Sequence, residues 1–202
     1  WDHMADTAEI AFRTGCRVFG SRTAVNIGRC LGLPEGRLSP WQAGQEVDLG
    51  EGCSVTPIRS LHKAPAGYPG EYHDVPSAIT TAADYLEGGT WALLLRLPGV
   101  SVLNVGSANL IREELRGLSC DVLLASIGGW SESYVRDLLD CVRAEVLVPT
   151  HYDDYLHCPA EAPGGEAKLA AFREAMAGIA PAQRLFVPAS LRPVTLPITS
   201  PG

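Results

Sequence analysis

The chain has no C-x-x-C pair, no long apolar run, no G-x-x-x-x-G-K-[ST] and no G-x-S-x-G. Each absence removes a class of function. The six cysteines, Cys16, Cys30, Cys53, Cys120, Cys141 and Cys158, are widely spaced. That spacing suits scattered thiols in a reducing compartment better than a cysteine zinc site or a disulfide framework. Apolar runs such as Trp91 to Leu95 are far shorter than the ~20 residues a membrane helix needs. The missing P-loop excludes that mode of nucleotide binding, and the missing nucleophile elbow leaves a serine hydrolase without its usual signature. Positive charge is also scarce. Sixteen Lys and Arg stand against 23 Asp and Glu, a formal net charge of -7, and nonspecific nucleic-acid binding needs the opposite balance. The expected partner is a small-molecule substrate, with neither nucleic acid nor membrane, and the expected compartment is the cytoplasm.

What is present suits a layered globular fold. The 202 residues are 46% hydrophobic, enough for one sizeable core, and a single domain over residues 1–202 is expected. A helix is expected from Met4, with Asp6 and Glu9 as a capping box and Gly15 as its stop. Arg17 to Gly20 reads as a strand. Ser21 then caps a helix with Ala24, Ile27 and Leu31 on one face. Residues 33–44 read as a loop, and Glu46 to Leu49 and Cys53 to Leu61 as strands joined at Gly50-Glu51-Gly52. Residues 63–89, rich in Pro and Gly, read as a long substrate-facing loop. Beyond it come a hairpin (Trp91 to Leu97, Val100 to Val105) and a helix near Asn109 to Leu115. Next are a strand at Val122 to Ile127, a helix from Glu132 to Cys141 and a strand at Val146 to Val148. A helix near 165–179 and a strand at Leu185 to Val187 complete the pattern. Strands alternating with helices argue for an α/β fold whose sheet is covered by helices.

In such folds ligands collect where strands end. His62 follows the strand ending at Leu61, Ser107 follows Val105-Gly106, Gly128-Gly129 follows Ile127, and His151 follows Val148-Pro149-Thr150. Asp153 and Asp154 come next, and Asp2-His3 stands directly before a helix. A single His after a strand is more often a hydrogen-bonded surface residue than a ligand. Three at element boundaries bring the two readings level. Asp153-Asp154 alone reads as a solvated turn, and Ser107 alone as a small residue in a tight one.

Four fragments in order resemble the metallo-β-lactamase fold superfamily. Trp1-Asp2-His3-Met4-Ala5-Asp6 looks like the end of its H-x-H-x-D-H signature. Ser60-Leu61-His62, Gly106-Ser107-Ala108-Asn109 and Pro149-Thr150-His151-Tyr152-Asp153-Asp154 follow as later motifs would. The nearest look-alikes are bacterial metal-dependent hydrolases with a late H-[WY]-D-D. The resemblance implies an αββα sandwich with a metal site at one edge, N-terminally incomplete here, with two further His expected just upstream of Trp1. It implies Asp2, His3, His62 and His151 as metal ligands, usually for zinc, as one or two ions. His and carboxylate donors serve iron or manganese as well. Asp2 would be catalytic as well as a ligand, orienting the attacking water. Asp153 and Asp154 are adjacent, so one is expected to face the cleft beside His151 and the other solvent or the next turn; Asp154 is favoured as the inward, catalytic carboxylate, and Asp153 is kept as a second carboxylate supporting His151 or the substrate. Tyr72, His73 and Tyr152 would contact substrate. Metal-bound hydroxide would attack a small ester, lactone, amide or phosphodiester. Ser107 departs from the pattern, because it stands where a bridging Asp is usual and a hydroxyl is not ionised near neutral pH. The competing expectation is a non-hydrolytic binding or biosynthetic accessory module that keeps the fold.

Overall fold

The structure, a computed structural model, describes residues 1, 3–64, 67–152, 163–189, 193–196 and 198. Its contacts divide the chain into two compact units, one of Trp1–Gln45 with Ala64–Thr90, the other of Glu46–Lys63 with Trp91–Gly202.

The first unit is a small β-α-β arrangement with a leading helix. Helix α1 spans Thr7–Thr14 and ends at Gly15, whose left-handed φ of 75° lets its N–H reach the Ala11 carbonyl. The expected capping box is absent. Residues before α1 already turn, with Thr7 N–H on the Met4 carbonyl. Asp6 is therefore helical, not in the extended conformation a capping side chain needs. Strand β1 (Val18–Gly20) leads to helix α2 (Arg22–Cys30), which Ser21 caps by accepting the Ala24 N–H. The stretch expected to be only loop holds strand β2 (Leu38–Pro40), parallel to β1. Three residues are too few for a periodicity to show, and α2 acts as the crossover that recruits them. Val25 of α2 packs with Ala8, Ala11, Leu33 and Leu38. Of the expected stripe, Ile27 is fully buried and Ala24 and Leu31 are half-buried, and the buried face of α2 also carries polar Thr23 and Asn26. Both hold the long loop: Tyr72 N–H donates to Thr23 Oγ1 at 2.8 Å, and Asn26 Nδ2 donates to the Tyr72 carbonyl at 3.0 Å.

The second unit is a seven-stranded mixed sheet ordered β3-β4-β5-β6-β7-β8-β9. Strands β3 (Val47–Gly50) and β4 (Cys53–Ser60) form the expected hairpin, as do β5 (Thr90–Leu97) and β6 (Val100–Val105). Helix α3 is one turn, Arg112–Leu115, shorter than expected because Ile111 is still extended. Strands β7 (Leu118–Ser126) and β8 (Val142–Thr150) run well beyond the apolar cores that announce them, while β9 is only Arg184–Leu185. Strands β6, β7, β8 and β9 are mutually parallel. Helix α4 (Glu132–Cys141) has the bounds expected, with Ser131 accepting the Tyr134 N–H as its cap.

Alternation along the central strands makes two apolar faces. Leu103, Val105, Leu123, Ala125 and Leu147 join Val135 and Leu138 of α4 and Leu169, Phe172 and Met176 of helix α5 (Pro163–Ile179) in the main core. Val122, Val146 and Val148 point the other way, toward Val100, Val102 and Phe186. Phe172 is fully buried and meets Trp130 edge-on at 5.3 Å. Such central strands cannot shift register without exchanging two apolar sets, so the positions of their carboxyl ends are well fixed. Among the described residues, no helix is long and apolar enough to cross a membrane.

Candidate functional site

Because β6, β7 and β8 are parallel, the residues that follow them emerge at one edge. Strand β4 delivers its own end to the same place. Lys63 N–H donates to Ser107 Oγ at 2.9 Å, Asn109 Nδ2 donates to the His62 carbonyl at 3.1 Å, and Ser60 Oγ donates to the Asn109 carbonyl at 3.4 Å. The turns after β7 and β8 are joined by the Ile127 N–H on the Thr150 carbonyl at 2.8 Å. Gly128 then lies so close to His151 that a Cβ there would meet its Nδ1 at 2.7 Å and its carbonyl oxygen at 2.9 Å. A Cβ on Gly129 would meet Lys63 Nζ at 2.0 Å. The four loops after β4, β6, β7 and β8 therefore form one cluster.

Both imidazoles in it are exposed and have an oriented Nδ1. His62 Nδ1 lies 2.6 Å from the Lys63 carbonyl, which as an acceptor fixes the proton on Nδ1 and makes Nε2 the lone-pair nitrogen. His151 Nδ1 lies 3.2 Å from the hydroxyl of Ser126, a fully buried residue at the end of β7. An Nδ1 contact that aims the ring is the usual support of a metal-binding histidine. His151 also has a left-handed φ of 58°. That conformation costs a side-chain-bearing residue about 1 kcal/mol or more, and such outliers cluster at functional sites.

Of the expected site residues, the structure brings together His62, Ser107 and His151. Ser107 is buried and serves as the acceptor that ties β4 to β6. Tyr152 is half-buried, with its ring against the main core. His3, Tyr72 and His73 belong to the first unit, where His3 and His73 are exposed and Tyr72 is held on α2. Asp2, Asp153 and Asp154 lie outside the described residues. Reading strand ends singled out the histidines but missed Lys63 and Ser126. The available signals were a glycine pair directly after a buried strand, which marks close approach of another group, and a serine closing an otherwise apolar run.

No protein-family model matches the chain. The structure superposes on Igni18, a novel metallo hydrolase from Ignicoccus hospitalis, with a TM-score of 0.53 over 92% of this chain and 71% of that one, at 18% identity. It superposes on the metallo-β-lactamase fold protein YhfI from Bacillus subtilis with a TM-score of 0.52 over 94% of this chain and 71% of that one, at 11% identity. The chain has the metallo-β-lactamase fold. A curated relative from Pyrobaculum arsenaticum, the UPF0173 metal-dependent hydrolase, is 27% identical over 161 residues, 77% of this chain. The chain spans 62% of that relative's length.

Metal chemistry in this fold asks for a set of N and O donors, and the second unit can be tested against that. Two imidazoles aimed through Nδ1 fit a divalent ion in kind. They do not fill a coordination sphere by themselves, and no group of three His, Cys, Asp or Glu able to hold a metal occurs among the described residues. The site edge thus offers two suitable donors, with the carboxylates Asp2, Asp153 and Asp154 outside what is described.

Proposed function

We propose that this protein is a metal-dependent hydrolase acting on a small ester, lactone, amide or phosphodiester. The observation that carries the reading is the gathering of His62 and His151 at the carboxyl edge of one sheet, each ring aimed by a partner at Nδ1. Those two imidazoles would hold the metal through Nε2, and the resemblance assigns the same task to Asp2 and His3. We take zinc, as one or two ions, as the metal. When bound, it would polarise the scissile centre and bring water into the range of a usable nucleophile. The chain's own groups do the positioning. Ser126 sets the His151 ring, the Lys63 carbonyl sets His62, and Ser107 locks the two loops that carry His62 and Asn109. Asp2, which would orient the attacking water, and Asp154, beside His151, are the candidate catalytic carboxylates, and Tyr72, His73 and Tyr152 the candidate substrate contacts.

The relative's name supports the hydrolase reading. Ser107 favours a second one, an accessory module that binds without hydrolysis, because its neutral hydroxyl is already used by the Lys63 N–H. Both are tested by measuring zinc content and turnover of 4-nitrophenyl acetate, bis(4-nitrophenyl) phosphate and a simple lactone, before and after chelation. Hydrolysis that disappears with the metal and returns with zinc supports the enzyme. Tight zinc binding without turnover of any ester, lactone or phosphodiester selects the accessory module.

A further inference from the structure

We infer that Lys63 is an anion-recognition residue at this edge, and that the substrate carries a phosphate or carboxylate group beside the bond that is cut. The substrate statement rests on the hydrolase reading, whereas anion binding by Lys63 does not. The backbone at Lys63 is fixed from both sides. Its N–H is held by the buried Ser107 hydroxyl and its carbonyl by His62 Nδ1. The side chain leaves this anchor and crosses the turn after β7. A Cβ on Gly129 would meet Nζ at 2.0 Å, Cε at 3.0 Å and Cδ at 3.1 Å. The outer half of the lysine therefore lies in the space beside the Gly129 backbone that a side chain there would enter.

The neighbouring glycine seats His151 in the same way, with Nδ1 at 2.7 Å from a Cβ built on Gly128. Adding those separations to one peptide unit puts the ammonium within about 12 Å of the His151 ring. The Lys63 residue is exposed, and among the described residues its ammonium makes no ion pair. A compact ammonium with three donors recognises anionic oxygens as a point charge. The protein as a whole is acidic, with a net charge of -7, so a local cation favours the approach of an anion to this edge. A lysine here would also repel a nearby metal ion. An anionic group lying between the two relieves that repulsion, so the arrangement favours an anionic substrate over a neutral one.

The test uses the full chain stripped of metal with a chelator, so its outcome is independent of whether the protein hydrolyses anything. Inorganic phosphate and, separately, acetate are titrated against the wild type, Lys63→Met and Lys63→Arg, followed by phosphorus and carbon NMR. Phosphate or acetate should bind about tenfold more weakly to Lys63→Met, with most of the affinity regained in Lys63→Arg. Tighter phosphate than acetate binding names a phosphate-bearing substrate, and the reverse a carboxylate-bearing one. Equal affinity in the wild type and Lys63→Met, or no binding of either anion, would overturn the inference.

Discussion

Substituting Gly128 by Ala adds a single methyl group where the structure has none to spare. The new Cβ would lie 2.7 Å from His151 Nδ1, 3.1 Å from Cε1 and 2.9 Å from the His151 carbonyl oxygen. The ring could swing aside, but the carbonyl belongs to the backbone that leaves β8 and cannot. The turn after β7 and the end of β8 must therefore move apart. Overpacking of this kind costs about 1–3 kcal/mol. For a chain of this size each kcal/mol lowers Tm by about 2–4 °C, so a fall of about 2–12 °C is expected. Gly128 has no positive φ, so the loss is steric and not a backbone penalty. Gly36→Ala is the matched control: nothing lies within 4 Å of its Cβ position and its φ is ordinary, so it should be neutral or slightly stabilising. Thermal unfolding by circular dichroism measures both, and zinc affinity of the Gly128 variant reports whether His151 has been displaced. Equal Tm values and an unchanged zinc affinity in Gly128→Ala would refute the close approach of the two loops.

Ser126→Ala removes the hydroxyl beside His151 Nδ1. Loss of such a partner should lower zinc affinity about tenfold or more in a competition titration, while Tm changes little. Asp121 accepts from Ser101 Oγ at 2.7 Å and Ser101 N–H at 2.6 Å, and these bonds hold its carboxyl below the ordinary 3.8. A lowered folded value means stability that is present above the ordinary value and lost as pH falls through the folded one. Denaturant unfolding between pH 6 and pH 2 should show a steeper acid decline in the wild type than in Asp121→Asn. Burial pushes the Cys120 thiol up to about 11, so at pH 8 a maleimide should label the exposed Cys16 and leave Cys120 unmodified in the folded chain.

Much of the sheet was legible because its signals are local. The turns at Gly50-Glu51-Gly52 and Pro98-Gly99, the serine cap of α2 and the apolar run of β7 each depend on neighbours in sequence. Strand β2 was not legible, because a three-residue parallel strand is defined by its partner β1, some 20 residues away. The capping box at Asp6 failed for a related reason, since the turn before α1 had already set the backbone. At the site, strand ends pointed to His62, Ser107 and His151. The links that make them a cluster join residues 25 to 49 apart in the chain. Lys63 on Gly129, Ser126 on His151 and Ser107 on the Lys63 N–H are contacts that no spacing encodes.

The reading stands or falls on whether His62 and His151 bind zinc, as one or two ions, at the carboxyl edge of the sheet. Crystals grown with zinc and measured on both sides of the zinc absorption edge test it directly. Anomalous density for one or two ions is expected, with Nε2 of His62 and Nε2 of His151 each bonded to zinc at about 2.0–2.1 Å. A zinc peak elsewhere in the molecule, with both imidazoles unbound, would contradict it.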